Sequence, residues 1–141
     1  MKHLLFVVIL FFTQISLYAQ QIDRFPIYPG CERFMKDNQK LNGCFQERLM
    51  KDLDLYFKSE KPKSDTIRPE MVKISMIVDA KGKLKDFEIV EEANAKASAK
   101  LMKRLTGLQK QFEKNNKKIV PASYRKRNVN FKIVFVGTQY A

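Results

Sequence analysis

The sequence predicts an α+β fold: a two-layer sandwich in which a three-stranded antiparallel sheet carries two helices on one face, in the order α-β-β-α-β. Three observations lead there. Apolar residues recur at helical spacing in two separate stretches, around 45–57 and 97–108. Residues 72–90 alternate apolar and polar on either side of a glycine-containing turn. A third alternation closes the chain near residue 135. One helix cannot cover three strands, so both are expected on the same face.

The chain of 141 residues opens MKHLLFVVILFFTQISLYAQ. Lys2 gives a positive start, and the run Leu4 to Phe12 is apolar but short for a bilayer span. Ala19 offers a small residue at a cleavage point. Residues 1–19 are therefore expected to be a secretory signal peptide cut after Ala19, with an uncleaved anchor as the alternative. The protein is then periplasmic or secreted. The remainder is one domain, long enough for a single core. It divides into an irregular segment, 20–43, and a folded region, 44–137.

The formal net charge is +12. The leader contributes only Lys2 to the basic residues, so the domain stays strongly positive. That favours anionic partners, including an anionic membrane surface. A solvated basic surface explains it equally simply. An exported chain has little occasion to meet nucleic acid, so none is expected. The only histidine is His3, inside the leader, and there is no tryptophan. Ser-His-Asp and Cys-His catalysis and the usual histidine metal sites are thereby removed. With no nucleophile elbow, phosphate loop or metal motif, the sequence predicts no enzyme and no cofactor.

In the first helix, Phe45, Leu49, Leu53 and Phe57 recur every four residues, with Gln46, Glu47, Arg48, Lys51 and Asp52 opposite. Asn42 is a plausible N-cap, and the helix should fade by KSEKPKSD. In the first strand, Val72, Ile74, Met76 and Val78 alternate with Lys73, Ser75 and Ile77. DAKGK makes the turn, with Gly82 available for a positive φ. The second strand sets Phe87 and Ile89 against Asp86 and Glu88. Ala97, Leu101, Leu105 and Leu108 form the stripe of the second helix, with Gly107 near its expected end. A basic loop around Pro121 follows. NVNFKIVFVG is read as the last strand, with Val129, Phe131, Ile133 and Phe135 on one face. It should pair antiparallel beside the hairpin, leaving its outer edge open unless the N-terminal segment covers it.

This order of pieces resembles the C-terminal domain of TonB in the form common among Bacteroidetes. FPIYPGCE followed by NGCFQERLMKDL resembles an opening segment of that family, cysteines included. VKISMIVDAKGKLKDFEIVEEAN resembles its hairpin, ASAKLMKRLTGLQ its second helix, and IVPASYRKRNVNFKIVF its proline, basic loop and terminal strand. The resemblance covers nearly all of residues 25–136. It departs from a full energy transducer in showing neither a transmembrane anchor nor a long Pro-rich spacer, and in having FKSEKPKSDTIRP after the first helix. It implies a module that binds a protein, such as a TonB-dependent outer-membrane transporter, by adding a partner strand to a sheet edge. The matching positions are the loop Tyr124, Arg125, Lys126 and Arg127 and the strand residues Val129, Asn130, Phe131, Lys132 and Val134.

In an exported chain without histidine, Cys31 and Cys44 read as a structural disulfide. A redox-active pair would sit closer together, and a metal site would lack ligands. YRKRNVNFK reads either as an anionic-partner stripe or as a solvated loop feeding a protected edge. Glu91 and Glu92 are neighbours on a strand and point to opposite faces, so they cannot readily share a substrate. Beside the strand-binding module, a second function class fits the composition: a basic secreted accessory protein that binds anionic lipid or glycan, without a transport role.

Overall fold

The computed structural model describes residues 21–58, 67–92 and 94–141. The expected leader lies outside them. The elements are α1 (Asn38–Tyr56), β1 (Glu70–Val78), β2 (Leu84–Glu92), α2 (Ala95–Lys114), β3 (Ala122–Tyr124), β4 (Arg127–Val129) and β5 (Phe131–Gln139). Three long strands form one antiparallel sheet in the order β2-β1-β5. The predicted α-β-β-α-β order holds.

α1 starts earlier than the sequence suggests. Asp37, in extended backbone, caps it by accepting from the Lys40 amide at 3.0 Å. Asn42 is an interior position, not the cap. Gly43, the next residue, sits on an open helix surface with nothing within 4 Å of an added Cβ. The buried stripe gains Leu41 ahead of Phe45, Leu49 and Leu53.

α2 is capped by Asn94, whose side chain accepts from the Lys96 and Ala97 amides at 2.9 and 3.1 Å. It runs to Lys114, well past Gly107, and buries Phe112. Gly107 is a close-approach position rather than a terminator: a Cβ there would lie 2.6 Å from Cζ of Phe57.

The β1–β2 turn is built by Asp79. Its carboxylate accepts from the Lys81 and Lys83 amides, each at 2.9 Å, and its carbonyl accepts from Gly82 N at 2.9 Å. Gly82 has φ +81°, and a Cβ would fall 1.9 Å from the Ile119 carbonyl oxygen. Beyond the turn the ladder shifts register twice, and Asp86 takes φ +53°. The clean alternation expected for β2 is therefore broken: Phe87 packs on the core while Ile89 is 42% exposed.

β5 pairs with β1 without interruption, from Glu70↔Gln139 to Val78↔Phe131. The expected single terminal strand is two. Asn130 divides them, its side chain accepting from the Ala80 amide at 2.8 Å and so tying the break to the β1–β2 turn. The expected basic loop is in fact the hairpin β3–β4, turned by Arg125 and Lys126 at φ +48° and +62°. Two consecutive positive-φ residues make a turn whose twist suits a hairpin.

The N-terminal segment pairs with this hairpin and not with β5, through Arg24↔Ser123 and Ile27↔Val120. It then enters the core. Tyr28 packs its ring on Phe45 and Phe112, at 5.1 and 5.5 Å between centroids, and donates its hydroxyl to Asp52 at 2.8 Å. Burial first, and the Asp52 carboxylate second, push the Tyr28 hydroxyl far above the usual phenol range. Cys31 and Cys44 are joined in a disulfide, which ties the segment to the second turn of α1. Residues of both helices, β1, β5 and this segment form one buried cluster.

Candidate functional site

β1 is central, so β5 and β2 are the edges of the sheet. In a strand the N–H and C=O of one residue point to the same side, and neighbours alternate. The groups of Val134 and Val136 face away from β1, because a side chain bonds them there: Gln46 Nε2 donates to the Val134 carbonyl at 2.9 Å, and the Val136 amide donates to Gln46 Oε1 at 3.3 Å. By alternation, Lys132 and Thr138 also turn their backbone groups to the free edge. One primary amide thus stands where the N–H and C=O of a single residue in a neighbouring parallel strand would stand.

Both faces of β5 follow the same alternation. Ile133, Phe135, Gly137 and Gln139 are buried toward the helices. Val134 and Val136 lie on the bare outer face, 48% and 44% exposed. Around them stand Lys132, paired with Glu88 at 3.5 Å, and Lys73, paired with Glu91 at 2.6 Å. Lys73 holds the Glu91 carboxyl below its usual range, first by its hydrogen bond and then by its charge. The ion pairs flank a small apolar strip at the sheet edge.

The residues singled out from the sequence do not form one stripe. Tyr124, Arg125, Lys126, Arg127 and Val129 belong to the β3–β4 hairpin. There Arg125 lies over the Tyr124 ring at 5.2 Å, and the Lys126 amide reaches the Asp23 carboxylate at 3.5 Å. Asn130 is the joint described above. Phe131 is half-buried and meets Phe25 edge-on, at 5.4 Å between centroids. Only Lys132 and Val134 sit on the free edge of β5. Val136 and Thr138 complete it, and neither was singled out. Gln46 was missed altogether. Among the polar residues of α1 no sequence signal marks it, because its role depends on where α1 lies against β5.

Among the described residues, no group of three histidine, cysteine or acidic side chains could hold a metal ion, and no helix is long and apolar enough to cross a membrane. The Cys31–Cys44 bond is of a kind that forms outside the reducing cytosol. Comparison with protein-family models, curated proteins and solved structures finds no match to this chain.

Proposed function

We propose that this is a periplasmic module, similar to the TonB C-terminal domain, that takes an extended segment of an outer-membrane transporter or other envelope protein as an added strand on β5. The observation that carries the reading is the Gln46 amide, bonded to the outward carbonyl of Val134 and the outward amide of Val136. An edge whose backbone groups are held by one replaceable side chain is open to exchange. Gln46 contributes about 1 kcal/mol or less through two exposed bonds, whereas a strand spanning residues 132–138 offers a longer ladder. The leader read from residues 1–19 supplies the compartment, and the disulfide fits it. The basic hairpin turn at Arg125 and Lys126 offers positive charge to an acidic partner.

The test is capture from outer-membrane extract, with the bound protein identified by mass spectrometry. Wild type is compared with Val134→Pro, which removes an outward N–H and leaves the β1–β5 ladder intact. A TonB-dependent transporter recovered by wild type and lost with the folded variant is the expected result. Equal recovery by both proteins, or no envelope protein at all, overturns the reading.

A further inference from the structure

Lysines recur along α2 at positions 96, 100, 103, 110 and 114. At 3.6 residues per turn these fall in a single row about 27 Å long, and Gly107 occupies the vacant place in it. A row of this kind is ordinarily the solvated face of an amphipathic helix. Here its middle is not a convex surface. The C-terminal end of α1 comes over it, and the Phe57 ring lies in the notch that Gly107 leaves. The result is a groove of about 570 Å³ lined by Phe57, Lys58, Lys100, Lys103, Arg104, Thr106, Gly107, Lys110 and Gln139.

The groove is strongly positive. Among the described residues, no carboxylate lies within 4 Å of the ammonium of Lys58, Lys100, Lys103 or Lys110. Arg104 forms the wall nearest the core. Its side chain is 9% exposed, and its guanidinium is fixed by Asp54 at 2.7 Å and Gln139 at 2.6 Å. Asp54 offsets that one charge, and among the described residues no carboxylate pairs with the four lysines. Like charges gathered along a concave surface focus a field that an anion relieves.

The shape limits which anion fits. Lys100 and Lys110 lie about 15 Å apart along the helix, so one phosphate cannot meet both, whereas a chain with repeating charges can. A flat bilayer does not enter a concave groove. The Phe57 ring offers an apolar face for a sugar ring, and the exposed Thr106 supplies a hydroxyl that can bond one of its hydroxyls. We propose that the groove between α1 and α2 binds an acidic polysaccharide laid along α2, its carboxylates or phosphates on Lys100, Lys103 and Lys110 and one sugar against Phe57. The site is separate from the β5 edge: Gln139 enters it from the buried face of β5.

Titration calorimetry with polygalacturonate tests this, using the triple variant Lys100→Gln, Lys103→Gln, Lys110→Gln. The control is Lys36→Gln, Lys81→Gln, Lys118→Gln, which removes the same charge from exposed sites elsewhere. The groove variant should bind about tenfold or more weakly, and the control should stay close to wild type. Phe57→Leu, which keeps every charge, should also weaken binding while leaving its salt dependence unchanged. Equal losses in both triple variants would mean that net charge alone acts, and would overturn the site. So would no binding by wild type, or groove-dependent binding of phosphatidylglycerol vesicles or oligothymidylate in place of the polysaccharide.

Discussion

Gln46 and Val134 are joined as residues of adjacent strands are joined: the side-chain amide donates to the backbone carbonyl at 2.9 Å and, through its oxygen, accepts from the amide two residues on. Replacing Gln46 by alanine should free both groups at the β5 edge. Hydrogen exchange of the Val136 amide should speed up, and stability should fall by about 1 kcal/mol or less. Partner capture should rise, because the incoming strand has nothing to displace. Reduced capture by a folded Gln46→Ala protein would mean that Gln46 contacts the partner instead of yielding to it.

The disulfide closes a short loop across the N-terminal segment and α1, with a sequence separation of 13. Cys31→Ser with Cys44→Ser should cost roughly 3 kcal/mol in the chain-entropy model. Urea melts of wild type with and without reductant should differ by a similar amount, and those of the double variant should not differ. A free-thiol assay on native wild type should read none.

At Gly82 two constraints coincide, a left-handed backbone and the Ile119 carbonyl 1.9 Å from any Cβ. Gly82→Ala should therefore destabilise by about 2–3 kcal/mol. Alanine at Gly43, where space is open, should be neutral or slightly stabilising, since alanine is the better helix former. Thermal melts of the two variants make the comparison, and equal effects would refute it.

Burial tends to raise the Asp79 carboxyl, but the amides of Lys83 and Lys81 outweigh it, so its value in the folded protein is below the ordinary one. A lowered folded value gives stability that is present above the unfolded pKa of about 4 and is lost as pH falls through the folded value. Asp79→Asn keeps an oxygen acceptor but does not titrate. Its melts should show a shallower loss of stability between pH 5 and pH 2 (approximate bounds) than those of wild type. Parallel curves would show that other carboxylates carry the acid dependence.

The two helices and the strands β1 and β5 were legible because their burial is periodic, and β2 because it follows the glycine turn. Leu49 and Leu53 on α1, Leu101, Leu105 and Leu108 on α2, and Val72, Ile74, Met76 and Val78 on β1 each face the core at the spacing their element dictates. Boundaries were less legible. Asn42 looks like a cap and Gly107 like a helix end, but one is interior to α1 and the other makes room for Phe57. The β3–β4 hairpin was hidden because Arg125 and Lys126 are not residues that ordinarily signal a tight turn.

The sequence by itself determined the α+β class, the element order and the pairing of its two cysteines, since each rests on local periodicity or on a choice with one candidate. Tertiary structure alone decided which edge groups are open. Gln46 lies far from Val134 along the chain, and its side chain is chemically ordinary. Only the packing of α1 against β5 brings its amide to the strand, where two hydrogen bonds of fixed direction make it stand in for one residue of a neighbouring strand. The groove has the same origin. A row of lysines is written in α2, but its concavity comes from Phe57, which reaches Gly107 only when the helices pack.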